Sequence, residues 1–193
     1  MNLLCNGIAS WCKKNGAVSE EDYPIVLYGI QIFFNTSLKV LGILLIGALL
    51  QCLPAVLLSI TVFCSMRYWT GGWHSKSHLG CFCGMLAACV CPALLMKFNS
   101  RWIPWALLCI FIYSVYSVVR YAPCNSEINP IDDFKIIKMK RIGSIIELSG
   151  LSIAVILWDN TKFKALILIP LFADAFLLRD WEKLRNWYKS QGR

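Results

Sequence analysis

Apolar runs too long for a water-soluble core set the limits on what this chain can fold into. A membrane-spanning helix needs about 20 predominantly apolar residues. Six segments approach that length: about Ile25 to Ala48, Cys52 to Met66, Leu79 to Met96, Trp102 to Val119, Ile142 to Trp158 and Phe163 to Leu178. Several fall short of the ideal, which a thinner bilayer or partial re-entry would accommodate. The turn between the first two, around Leu50 and Gln51, is so short that the boundary over residues 48–54 is open. Composition points the same way, with 58% apolar and 16% charged residues against roughly 25% charged in an ordinary soluble domain. The expected fold class is therefore all-α: a polytopic membrane protein with about six transmembrane helices, residues 1–193 forming one integral membrane domain.

Charge gives the expected orientation. Lys13, Lys14, Arg67, Lys76, Arg120, Lys135, Lys138, Lys140, Arg141, Arg179, Lys183, Arg185, Lys189 and Arg193 fall on one side of the six segments. Only Lys97, Arg101, Lys162 and Lys164 fall on the other, and Lys39 lies within the first segment. Basic residues accumulate on the cytoplasmic side, so both termini and the loops after the second and fourth spans are expected inside. The net charge of +8 fits contact with anionic membrane lipid. No soluble basic groove with interleaved aromatics is present, so nucleic acid is not an expected partner. The first 24 residues contain Lys13, Lys14, Glu20, Glu21 and Asp22 and no uninterrupted apolar core. The first span is thus expected to act as an uncleaved insertion signal, with residues 1–24 as an interfacial segment and 180–193 as a charged cytoplasmic tail.

Ten cysteines could suggest a disulfide framework, but Cys52, Cys64, Cys89, Cys91 and Cys109 lie inside apolar runs, where a free thiol behaves as a small hydrophobe. Cys5, Cys12, Cys81, Cys83 and Cys124 sit at or near segment ends. Trp and Tyr also gather at the ends, at Tyr68, Trp69, Trp73, Trp102, Trp105, Tyr121, Trp158 and Trp181, as an aromatic belt would. No internal repeat is visible, where a two-halved transporter would be expected to carry one.

The loop after the second span and the start of the third, residues 67–81, hold the densest chemistry. Arg67, Gly71, Gly72, His74, His78 and Cys81 fall within this stretch, and both histidines of the chain are there. A thiol peptidase needs a thiolate and an imidazole that activates it and later protonates the leaving amine. Cys81 falls in the first turn of the third span. Helix N-termini carry partial positive charge that favours a thiolate, and their free N–H groups can hold an oxyanion. If residues 74–81 were continuous helix, about 10.5 Å of axis would separate His74 from Cys81, so the loop must bend, and Gly71 and Gly72 supply backbone freedom. The plainer alternative is that the histidines are interfacial polar groups and Cys81 a packing residue. A zinc site at His74, His78 and Cys81 has helical spacing, but the stretch lacks the Glu of a His-Glu-x-x-His motif and Lys76 adds positive charge. No metal or other cofactor is expected.

These residues resemble the AgrB family, accessory gene regulator protein B of Gram-positive quorum sensing. The resemblance rests on Arg67, Gly71-Gly72, His74 and Cys81, and extends to Tyr121-Ala122-Pro123 followed by Asn129-Pro130-Ile131. It implies a multi-pass protein of the cell membrane that acts as a cysteine endopeptidase. Its partner would be an AgrD-like propeptide, encoded beside it, whose C-terminal tail is removed through an acyl-thioester. Ring closure to a thiolactone or lactone then yields an autoinducing peptide. The family's catalytic pair falls on His74 and Cys81, with Arg67 and Gly72 as supporting positions and a homodimer as the implied assembly. The Gly80-x-x-x-Gly84 spacing permits close helix packing.

Further candidates come from charge inside the spans, where ionisable residues are functional by default. Glu147 and Asp174 are possible orienting groups for His74 or partners for a cation such as Arg67, and Gln31 is a possible polar contact in the first span. Lys135, Lys138, Lys140 and Arg141 form a basic cluster ahead of the fifth span. It is a topology determinant and a candidate binding surface for an acidic peptide tail. The competing function is a peptide exporter or channel without covalent chemistry, which would explain the spans but not the His–Cys concentration.

Overall fold

The computed structural model describes residues 2–71, 78–95, 103–124 and 134–178. Seven helices account for nearly all of them: α1 (Asn2–Lys14), α2 (Tyr23–Leu49), α3 (Leu53–Thr70), α4 (His78–Leu95), α5 (Ile103–Tyr121), α6 (Phe134–Leu157) and α7 (Thr161–Leu177). No strand occurs among the described residues, where Gly71 and Cys124 form an isolated β-bridge. Three helices, α2, α3 and α5, are long and apolar enough to cross a membrane, and the apolar stretch of α4, Leu79–Leu95, is shorter. α6 has the length but carries Lys135, Lys138, Lys140 and Arg141 near its start, and α7 has 17 residues.

The chain divides into two units, residues 1–46 and 47–193. In the first, Gly16 at φ 71° closes α1. The N–H groups of Gly16 and Ala17 reach back to the carbonyls of Lys13 and Cys12 at 3.0 Å each, a hydrogen-bond pair that needs a left-handed residue after the helix. Lys13 bonds Glu20 at 2.6 Å and lies over the Tyr23 ring. Cys5 and Ala9 are buried, while Leu4 and Trp11 are exposed.

The second unit begins with the same turn chemistry. Gln51 takes φ 53°, and Gln51 and Cys52 donate to the carbonyls of Ala48 and Gly47 at 3.0 and 2.9 Å. The turn left open by the sequence therefore lies at residues 50–52, and Pro54 falls in the first turn of α3, where a missing N–H costs nothing.

α7 is the centre of this unit and packs against α3, α4, α5 and α6. Ala165, Leu166, Ile167, Leu168, Leu171 and Ala175 are all buried, as befits a helix apolar on every side. The outer faces remain apolar too, with Ile112 and Tyr116 on α5 and Ile146, Ile153 and Ile156 on α6 exposed. A soluble monomer rarely carries apolar surface of that extent, whereas hydrocarbon would solvate it.

Pro170 lies inside α7. A proline has no N–H for the carbonyl four residues back, which here is Leu166. Ser59 on α3, fully buried, donates its hydroxyl to that carbonyl at 3.2 Å. In an apolar surround an unpaired carbonyl is costly, so this bond both repairs α7 and fixes its height against α3. Ser59→Ala should lower stability by about 1–2 kcal/mol, read as a lower Tm in detergent, with Ser59→Thr closer to the parent. An unchanged Tm for the alanine variant would show that the carbonyl is satisfied in another way.

Candidate active site

α3 and α7 run parallel. Ser59 meets Leu166 and Arg67 meets Asp174 at the same sequence offset. α3 and α6 run antiparallel, since Ser65 donates to Glu147 while Trp69, one turn on, packs on Gly143, one turn back. A methyl group on Gly143 would overlap the indole. The ends of α3 and α7 and the first half of α6 therefore meet at one end of the unit. The segment after α5 joins them, because the Cys124 N–H donates to the Thr70 carbonyl at 2.8 Å.

Asp174 is the hinge of this arrangement. It lies in the last turn of α7 and is completely buried. Thr70 Oγ1 donates to Asp174 Oδ2 at 2.7 Å, with the Met66 carbonyl at 2.9 Å as its alternative acceptor. The Arg67 guanidinium lies 3.4 Å from Asp174 Oδ1. One carboxylate thus holds two side chains of the last turn of α3. Gly71 then ends the helix at φ 67°, its N–H bonded to the Arg67 carbonyl at 3.1 Å. A Cβ on Gly71 would stand 2.6 Å from the Cys124 carbonyl oxygen, so glycine is required there by both conformation and space.

Cys81 is half-buried and lies in the first turn of α4, which starts at His78. His74 and Gly72 lie outside the described residues, and so does the side chain of His78, so the catalytic pairing and the zinc alternative fall there. Glu147 is in the middle of α6, with Oε1 accepting from Ser65 and Oε2 buried without a partner among the described residues. Gln31 is half-buried on α2 in the first unit. The basic cluster differs from its expected form: Lys135, Lys138, Lys140 and Arg141 belong to α6 itself, which starts at Phe134 rather than Ile142. Helix continues there because no Gly or Pro interrupts it. Lys140 lies 5.9 Å from the centre of the Tyr68 ring.

Sequence reasoning found Arg67, Gly71 and Asp174 but not Thr70, Ser65, Gly143 or Ser59. Thr70 sits three residues after Arg67, on the same helix face, and that spacing was the available signal. Gly143 gave none, because its role depends on an indole that is 74 positions earlier, at Trp69.

Removing the Asp174 carboxylate takes a buried acceptor from both Thr70 and Arg67. Asp174→Ala should therefore cost about 3–5 kcal/mol and sharply reduce the folded fraction in detergent, while Asp174→Asn keeps an acceptor for Thr70 and should cost less. Equal melting of the parent and the alanine variant would mean that Asp174 does not hold the end of α3.

A family model described as accessory gene regulator B matches residues 5–178. Over 182 residues the chain is 27% identical to accessory gene regulator protein B of Staphylococcus aureus strain bovine RF122 / ET3-1, covering 92% of this chain and 90% of the relative. It is 24% identical over 145 residues to putative AgrB-like protein 1 of Clostridium perfringens strain 13, covering 75% and 77%. A putative AgrB-like protein of C. perfringens strain SM101 is 24% identical over 131 residues, a match spanning 61% of that relative's length. No solved structure matches. The family match takes in α2 to α7 whole, together with the Arg67–Thr70–Asp174 cluster and Cys81, and the chain belongs to the accessory gene regulator B family.

Proposed function

We propose that this protein is a multi-pass cysteine endopeptidase of the cell membrane that processes an AgrD-like propeptide in quorum sensing. The observation that carries the reading is family membership together with a half-buried cysteine, Cys81, in the first turn of α4. Six crossings with both termini inside, and assembly as a homodimer, belong to the same proposal. The parallel sense of α3 and α7, and the antiparallel sense of α6, agree with a chain that alternates direction at each crossing.

The chemistry runs in two balanced steps. The Cys81 thiolate attacks the carbonyl of the scissile peptide bond. The C–N bond breaks, the imidazole of His74 delivers a proton to the departing amine, and the peptide remains on sulfur as a thioester. A thiol or hydroxyl of the peptide, deprotonated by the same imidazole, then attacks the thioester. The Cys81 thiolate leaves and a thiolactone or lactone ring closes. A thioester keeps activation that hydrolysis would discharge, so ring closure must outrun water. A site at the membrane edge favours that outcome by limiting water and holding the nucleophile close. Arg67 and Gly71 act here as positioning residues for the loop, and the cations at the start of α6 offer a surface for an acidic tail.

The test is tail release from the propeptide encoded beside this chain, measured with purified protein in liposomes. Cys81→Ala and His74→Ala should each reduce release by more than about a thousandfold while inserting normally. Release that persists in Cys81→Ala, or transport of intact peptide that ignores both substitutions, would point to an exporter instead.

A further inference from the structure

α2 contains a polar stripe that neither its apolar character nor the proposed chemistry explains. Gln31, Asn35 and Lys39 follow one another at four-residue spacing, which places them on one line along the helix. All three are half-buried. None has a hydrogen-bond or ion-pair partner among the described residues. Lys39 stands ten residues before Leu49 and sixteen after Tyr23, about 15 and 24 Å of axis. Its amine cannot reach the nearer helix end by extending along the surface. A lysine at such depth is costly on insertion scales, and two carboxamides add to that.

We propose that this stripe docks an extended, acidic segment of the peptide substrate, Lys39 pairing with a peptide carboxylate and Gln31 and Asn35 with its backbone. The inference rests on the peptidase reading above. Three physical points select this occupant. A carboxamide offers both a donor and an acceptor, which acyl chains cannot answer and a peptide backbone can. Successive stripe residues rise about 6.0 Å, and backbone groups facing the same way along an extended chain repeat about every 6.6–6.8 Å. An ammonium with no anion beside it among the described residues calls for one, and a second copy docked symmetrically on this stripe would bring Lys39 against its own equivalent.

The test uses the full chain in liposomes and the propeptide encoded beside it, with tail release as one readout and photo-cross-linking as the other. Lys39→Met removes the charge and makes α2 easier to insert, so a defect would not be one of folding. It should raise KM about tenfold, the loss expected of one charged contact, with kcat within about twofold. Lys39→Arg should remain near the parent. A propeptide with its key acid replaced by the amide should lose the same factor on the parent protein and nothing further on Lys39→Met. A photo-reactive p-benzoylphenylalanine at Asn35 should capture the peptide, and one at Phe33, on the opposite side of α2 and 67% exposed, should not. Normal tail release with an unchanged KM for Lys39→Met, or capture of only lipid or another copy from position 35, would overturn the stripe and leave the peptidase reading standing. No tail release from the parent would remove both.

Discussion

A carboxylate with no access to solvent, Asp174, holds together the end of the bundle on which everything else depends. It ties Thr70 and Arg67 to α7, and α7 is packed on four other helices. The attachment decides where α3 stops. Gly71 can then turn away at positive φ, with the Cys124 backbone against it. A buried ion pair is weak evidence for stability in itself, because desolvation offsets much of the attraction. Its value here is geometric, since two residues of one helical turn share one acceptor group.

The same logic runs along the length of α3. Ser59 makes good the carbonyl that Pro170 leaves open, Ser65 meets Glu147, and Trp69 rests on Gly143. Each contact uses a small or hydroxylated residue, which is how helices approach closely when apolar burial no longer distinguishes inside from outside. α3 is thus keyed to α7 on one side and to α6 on the other. The segment that follows it, with the residues proposed for catalysis, starts from a fixed point.

Much of this was legible in the sequence. Each of the six apolar runs coincides with a helix, because runs of that length and composition admit little else. Cys81 in a first helical turn, and Arg67 and Asp174 as chemically notable positions, could also be read from the residues. Helix starts were less legible. α6 begins eight residues before the apolar run, at Phe134, since basic residues are compatible with helix even where they are not compatible with hydrocarbon. The pairing of helices was not legible at all. Ser59 and Leu166 are 107 residues apart, and nothing local in either segment names the other. The three-way contact at Asp174 was hidden for the same reason, with the Thr70 hydroxyl resembling any other threonine near a helix end.

The central claim is that Cys81 carries the substrate as a thioester, and intact mass spectrometry of the reconstituted protein after brief incubation with its propeptide tests it most directly. The account predicts an adduct equal to the peptide without its tail, located on Cys81, released by hydroxylamine and absent from Cys81→Ala. A folded, correctly inserted protein that releases the tail with no adduct on Cys81, or with one on another cysteine, would contradict it.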